Sequence, residues 1–335
     1  MSPRNPYVFD CPVSNPSDFF GQEEILAQCW ETAERECHYA IAGGPGSGKT
    51  SLLNQLWNPG ARIQAPPSAE NVLFVYLDCR LVPSSEAFLE QVARSILEQL
   101  PSSLADEYRG ACTSEREFED LIQCSPKKPI LLMDNIDYIT RHPHFPLDFF
   151  RYMRGIADLD MSIITTSNQS LKDCFSPDPA CSDFWNKLAP LNLRPFTEEA
   201  VTALLTEQGR RSGISLLPYR EEIETLAGRI PFFVQLACWH YFEASRDHTG
   251  PLSSSEHEYV RRQVAQGATP QFQRIWENLS ADERKAAREI AQNGKVTMEN
   301  AATAGLRQKG YIGQDRLFSP LFTEYVLTCS ESTSP

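Results

Sequence analysis

The feature that most constrains this chain is the stretch "YAIAGGPGSGKTSLLNQLW", Tyr39 to Trp57. Tyr39 to Ala42 reads as a short apolar strand, and Ser51 to Trp57 has helical character. Between them stand Gly43, Gly44, Pro45, Gly46, Ser47, Gly48, Lys49 and Thr50. That is GxxxxGK[ST] in the strand, loop and helix context it requires. Glycines let backbone N–H groups turn inward around phosphate oxygens, and the following helix adds the positive end of its dipole. Lys49 is expected to reach the β- and γ-phosphates and Thr50 to ligate Mg²⁺. Residues 43–50 with Ser51 form the expected phosphate-binding set.

The next segments set the fold class. "NVLFVYLDCR" (71–80) reads as a second buried strand, and "SEAFLEQVARSILEQL" (85–100) as an amphipathic helix with Phe88, Val92, Ile96 and Leu100 on its apolar face. "ILLMD" is a third strand. "MSIITTSN" (161–168), after the helix "FPLDFFRYMRGIADLD", is a fourth, and "KLAPLNL" (187–193) a fifth. Strands alternating with helices indicate an α/β fold, a parallel sheet covered on both faces. Ligands bind such sheets outside the carboxyl ends of the strands, which makes Asp134 the expected second Mg²⁺ residue.

Asn135 follows it, where the commonest P-loop ATPases carry a glutamate that draws a proton from the attacking water. An amide cannot take that proton. Asp137 offers a replacement carboxylate, although an Asp at a strand end also serves as a turn or N-cap residue. His142 and His144, in "RHPHFP", are flanked by prolines and read as an exposed loop.

Composition excludes some partners. A net charge of −13 and a pI near 5.0 argue against broad attraction to nucleic acid or anionic membrane. The ten cysteines are scattered without a CxxC pair and read as reduced thiols, Cys174 and Cys181 being the closest pair in a loop-like stretch. The N-terminus lacks an apolar signal core and no run approaches the length of a membrane span, so a cytoplasmic location is expected. No internal repeat is visible.

The chain resembles the AAA+ and STAND group of P-loop ATPases, most closely prokaryotic STAND-type or origin-recognition-like proteins. "NPYVFDCPVSNPSDFFGQEEIL" resembles their entry segment, "LNLRPFTEEAVTALL" the segment leading into the helical lid, and "LAGRIPFFVQLACWHYF" the lid helix with its GxP start. "IWENLSADERKAAREIA" and "GLRQKGYIGQDRLFSPLFTEYV" resemble the C-terminal winged helix. The resemblance implies an entry segment and first helix (1–36), a P-loop core (37–195), an α-helical lid (196–250) and a linker with a winged helix (251–335). It also implies that Tyr7 or Phe9 lines the adenine side of the pocket and that Pro231 sits against the base. Asn168 would sense the γ-phosphate, with Thr166 and Ser167 as rivals. ATP over GTP rests on this resemblance, which also lends Asp137 support as the extra acid.

Three departures matter. Gln22 stands where the entry motif usually has arginine, Asn135 where glutamate is expected, and no arginine occurs between Asn168 and Lys187, where ring-forming relatives place an arginine finger. A hexameric motor is therefore less expected than a switch.

Residues 196 to 246 read as helical with a break at "GISLLPY", and "HTGPLSSSEHEY" (248–259) as a linker. Residues 268–330 hold eight Lys or Arg and seven Asp or Glu, and the presumed recognition helix "NAATAGLRQKG" offers only Arg307 and Lys309. DNA-reading helices usually bring more phosphate-neutralising residues. The expectation is a switch that binds ATP or ADP with Mg²⁺, hydrolyses slowly, and controls docking of a protein partner or self-association. The alternatives are a DNA-associated ATPase acting through its winged helix, and a pseudo-enzyme that leaves ATP uncut.

Overall fold

The computed structural model describes residues 3–61, 65–103, 105, 115–175, 182–246, 248 and 250–331. The chain divides into two compact units. One comprises Val13–Gly43 and Lys49–Leu193; the other comprises Met1–Pro12, Gly44–Gly48 and Arg194–Pro335.

The first of these is built on a parallel sheet of β1 (Tyr39–Ala42), β2 (Val72–Asp78), β3 (Lys128–Asp134), β4 (Ser162–Ser167) and β5 (Ala189–Asn192), in the order β2-β3-β4-β1-β5. All five expected strands form, each near the limits read from its apolar run. Side chains alternate between faces with the period of two that a strand imposes. Ile41, Phe74, Ile130, Leu132 and Ile164 pack with α1 (Glu23–Trp30) and α2 (Lys49–Trp57). Ala40, Val75, Leu131, Met133 and Ile163 pack with α3 (Ser85–Leu97), α4 (Glu115–Cys124) and α5 (Leu147–Ile156) on the other face. Both faces being buried explains why β3 reads as a continuous apolar run. In the parallel ladder Asp78 lies opposite Asp134, so two carboxylates end neighbouring strands at the same level.

The second unit is helical apart from one hairpin. Its helices are α6 (Glu198–Ser212), α7 (Arg220–Ala227), α8 (Pro231–Ser245), α9 (Ser254–Glu277), α10 (Ala281–Asn293), α11 (Ala301–Gln308) and α12 (Pro320–Glu331), with β6 (Ile312–Gly313) pairing antiparallel to β7 (Arg316–Leu317). The expected break at 213–219 is present: Gly213 closes α6 at φ 77°, and a short turn at Leu217–Tyr219 precedes α7. The linker expected at 248–259 is shorter than composition suggested, because α9 begins at Ser254. Ser253 and Glu256 form a capping box there, two reciprocal bonds that start a helix inside a serine-rich stretch.

The described cysteines are free thiols. Cys181, the neighbour of Cys174 in that closest pair, lies outside the described residues. No helix among the described residues is long and apolar enough to cross a membrane.

His38, just before β1, ties strands together from the sheet's amino end. Its Nδ1 accepts the Ile163 N–H at 3.1 Å and its carbonyl accepts the Ala189 N–H at 2.8 Å. Burial, then the charges of Lys128 and Lys187, holds its pKa below the ordinary 6.5, against the opposite pull of Asp158 and Glu36. A histidine whose folded pKa is depressed contributes stability that is complete above its unfolded value and lost as pH falls through the window beneath it. Between pH 7 and pH 5 the wild type should therefore lose more stability than His38→Gln, whose amide oxygen can still accept from Ile163. Parallel denaturation curves for the two proteins would contradict this.

Candidate nucleotide site

Asp134 is fully buried at the end of β3. A buried carboxylate must be hydrogen-bonded, and three hydroxyls converge on it. Thr50 Oγ1 donates to Oδ2 at 2.7 Å and Tyr76 OH donates to Oδ2 at 3.1 Å, while Thr166 Oγ1 donates to Oδ1. The expected Mg²⁺ pair, Thr50 and Asp134, is thus side by side, presenting the hard oxygen donors that a small divalent cation takes. Tyr76 was not visible as a site residue in the sequence. Its place on β2, two positions before the Asp78 that faces Asp134 across the ladder, is the signal that could have found it.

Lys49 begins α2. Its Nζ donates to the carbonyl of Gly43 and, at 3.1 Å, to Asn168 Oδ1. Burial pushes its ammonium down to about 8, although Asp137 and then Asp134 pull the other way. Asn168 Nδ2 in turn donates to Asp137 Oδ2 at 2.8 Å. Lys49, Asn168 and Asp137 therefore form one hydrogen-bonded line, and Asp137 Oδ1 is buried without a partner among the described residues. The rivals to Asn168 point elsewhere. Thr166 serves Asp134 and also accepts the Asn135 N–H at 3.0 Å, whereas Ser167 Oγ donates to the carbonyl of Gln169.

Asn135 sits at φ 58°, the left-handed region that asparagine tolerates better than most residues. Its Nδ2 donates to Asp78 Oδ1 at 3.3 Å. Burial alone would raise the Asp78 carboxyl, but the hydrogen bonds and charge of Arg80, with the Asn135 amide, hold it below the usual range. Arg80 grips it through Nε at 3.0 Å and Nη2 at 2.6 Å. Asp78 is thus a second acid that motif reading missed.

Ser51 Oγ accepts the Val13 N–H at 3.0 Å, and Gln55 Nε2 donates to the Val13 carbonyl at 2.9 Å, so that face of α2 anchors the chain at Val13. His142 and His144 are exposed, as their prolines suggest.

In the other unit, residues 44–48 have the shape of a phosphate cradle. Gly46 and Gly48 adopt φ +83° and +94°, conformations that disfavour any side chain, and the Ser47 hydroxyl is buried without a partner among the described residues. An unpartnered hydroxyl in a glycine-rich loop with left-handed backbone fits a phosphate oxygen. In the same unit Tyr7 is fully buried edge-on to Phe242, with ring centroids 6.1 Å apart, and Phe9 meets Trp239 at 5.6 Å. Asn5 Nδ2 donates to the Trp239 carbonyl at 3.1 Å and the Val8 N–H to Gln235 Oε1 at 3.2 Å. The entry segment is therefore fastened along α8, of which Pro231 is the first residue, a position that suits its fixed φ and missing N–H.

The model of the family described as Novel STAND NTPase 2 matches residues 46–296, well over half of the chain. No curated protein matches the chain in sequence. Among solved structures it is similar to the Walker-type ATPase PABY2304 of Pyrococcus abyssi, at 16% identity and a TM-score of 0.63, over 95% of this chain and 99% of that one. It is also similar to the ORC2 protein of Aeropyrum pernix, solved in ADPNP–ADP complexes, at 12% identity and a TM-score of 0.61, over 94% and 97% of the two chains. At these identities the likeness establishes the fold, a P-loop NTPase sheet followed by a helical region. Together with the family match, it shows that this chain belongs to the Novel STAND NTPase 2 family of P-loop NTPases.

Proposed function

We propose that the protein is a molecular switch that binds ATP or ADP with Mg²⁺, hydrolyses ATP slowly, and uses the difference between the two states to control docking of a protein partner or self-association. ADPNP and ADP in the similar Aeropyrum protein support an adenine nucleotide here. Thr50 and Asp134 would hold Mg²⁺, which would supply neutralisation of phosphate charge. Residues 43–51 would cradle the phosphates, with Tyr7 and Pro231 on the base side. The order of α10, α11, the β6–β7 hairpin and α12 supports reading 251–335 as a linker and winged helix. We read 196–250 as the lid, 37–195 as the core and 1–36 as the entry segment.

The observation that carries slow hydrolysis is the division of labour between Asn135 and Asp137. Asn135 cannot accept a proton, and its amide is committed to Asp78. Asp137 can accept one, and it is tied through Asn168 to Lys49. In our reading water attacks the γ-phosphorus, its proton passes to the Asp137 carboxylate, and the bond from the γ-phosphorus to the bridging oxygen breaks, leaving ADP. Asn168 holds Asp137 and reports the γ-phosphate to it. Positioning and electrostatics carry most of phosphoryl transfer, so an unorthodox base slows turnover without preventing binding. Slow turnover suits a timer.

A docking role is favoured over DNA binding by the state of the two basic residues in the presumed recognition helix. Arg307 is paired with Glu299 at 2.7 Å and Asp315 at 2.5 Å, and Lys309 with Glu283 at 2.6 Å. Cations already paired with the protein's own carboxylates would release fewer counterions on DNA.

Single-turnover hydrolysis of radiolabelled ATP with Mg²⁺ tests this reading. Wild type should cleave slowly, Asp137→Ala should be slower by about 100-fold, the range of a lost general base, and Lys49→Ala should fail to bind. Equal rates for wild type and Asp137→Ala would overturn the assignment, and bound but uncut ATP in wild type would make the protein a clamp.

A second prediction concerns Asn135. A glutamate placed there faces Asp78, and two carboxylates about 4 Å apart repel by a few kcal/mol at a surface-like dielectric. Asn135→Glu alone should hydrolyse no faster than wild type, whereas Asn135→Glu combined with Asp78→Asn should be faster. A gain in the single variant equal to that in the double would show that Asp78 does not constrain the position.

A further inference from the structure

Two hydroxyls meet on one oxygen of Asp134, and α2 sets the place of both. Thr50 Oγ1 donates to Oδ2 at 2.7 Å, and Tyr76 OH donates to the same atom at 3.1 Å. Thr50 is the second residue of α2 and Trp57 its last, positions about two turns apart on one face. Trp57 stacks on the Tyr76 ring, with centroids 5.1 Å apart and planes 17° from parallel, and its own Nε1 donates to Asn54 Oδ1 at 3.0 Å. One helix therefore carries the first donor and presses on the ring that carries the second.

Packing alone does not require the Tyr76 hydroxyl. Phenylalanine would keep the stack with Trp57 and the contact with the core between α2 and the sheet. Tyrosine adds a donor to a carboxylate that is fully buried. Of the three hydroxyls on Asp134, Thr50 is itself an expected Mg²⁺ ligand, and Thr166 donates to the other oxygen, Oδ1. Among the described residues Tyr76 is thus the side chain that holds Oδ2 from outside the expected ligand pair. Without it Oδ2 would be held by Thr50 alone, and the orientation of the carboxylate would depend on the ion it has to receive. Groups that hydrogen-bond a metal ligand orient it in advance, and their loss typically costs about 10- to 100-fold in metal affinity.

We propose that Tyr76 is a positioning residue for the divalent cation: its hydroxyl, steadied by the Trp57 stack, fixes Asp134 Oδ2 in the orientation in which Asp134 and Thr50 receive Mg²⁺. The helix that begins at Lys49 then acts on the cation site twice, directly through Thr50 and indirectly through Trp57 and Tyr76. The inference rests on the reading above that Mg²⁺ binds with the nucleotide, and it gives Tyr76 no contact with the reacting atoms.

Titration calorimetry of a non-hydrolysable ATP analogue on the full-length chain, once with Mg²⁺ and once with EDTA, tests it, because the ratio of the two affinities reads the cation and not the reaction. Mg²⁺ should strengthen binding to wild type. In Tyr76→Phe that gain should fall about tenfold, or vanish if it is smaller than that, while affinity in EDTA stays at the wild-type value. A hydroxyl that merely satisfies a buried carboxylate would lower the Tm and leave the gain at its wild-type size; a gain equal to or above that of wild type in Tyr76→Phe would overturn the proposal. A wild type that binds the analogue equally well with and without Mg²⁺, or does not bind it, would overturn the reading above and this inference together. Trp57→Leu supplies the second variant, since it removes the stack and leaves the hydroxyl. It should lose part of the gain, and adding Tyr76→Phe should cost no more than Tyr76→Phe alone. A full gain in Trp57→Leu, or losses that add in the double variant, would contradict action through Tyr76.

Discussion

A fully buried carboxylate at the end of a central strand is the constraint on which the rest of the site depends. Placing Asp134 out of water is costly unless its oxygens are satisfied, and three hydroxyls from separate elements do so: Thr50 from α2, Tyr76 from β2 and Thr166 from β4. Those bonds fix the register at which α2 leaves the phosphate loop relative to the sheet. The three donors are neutral hydroxyls and bring no formal charge to the carboxylate. Lys49, pushed towards neutrality by burial, is the one ammonium among these groups and the one that gains most from an arriving phosphate.

In the proposed mechanism, two tasks that a single glutamate performs in the commonest P-loop ATPases fall to different residues. Asn135, the residue after Asp134, is turned by its left-handed backbone towards Asp78, and the carboxylate proposed to serve water stands two residues later, hydrogen-bonded to Asn168. In the proposed switch this arrangement would favour retention of ATP over rapid turnover. The paired state of Arg307 and Lys309 agrees with an output made through protein surfaces rather than nucleic acid.

Much of this was legible in the sequence, for identifiable reasons. The five strands were readable because a sheet buried on both faces gives unbroken apolar runs, and the loop because few sequences other than a phosphate cradle need glycine at 43, 44, 46 and 48 before Lys-Thr. Asp134 followed from its position at a strand end, Asp137 from being the next carboxylate after Asn135, and Asn168 from the resemblance to AAA+ and STAND ATPases. Asp78 did not, because its role comes from a register across the ladder that no linear motif encodes. The linker was overextended because serine-rich composition was weighed above the capping box Ser253 to Glu256, a short signal that was present all along.

The central claim is that the two nucleotide states differ where a partner would dock, and hydrogen–deuterium exchange tests it most directly. Exchange would be followed in the full-length protein without nucleotide, with ADP and Mg²⁺, and with a non-hydrolysable ATP analogue and Mg²⁺. The account predicts protection of residues 43–50 by both nucleotides and exchange in residues 301–331 that differs between the ADP and ATP-analogue states. Protection of the loop with identical exchange across 301–331 in those two states would contradict a switch and leave a nucleotide-binding protein without one.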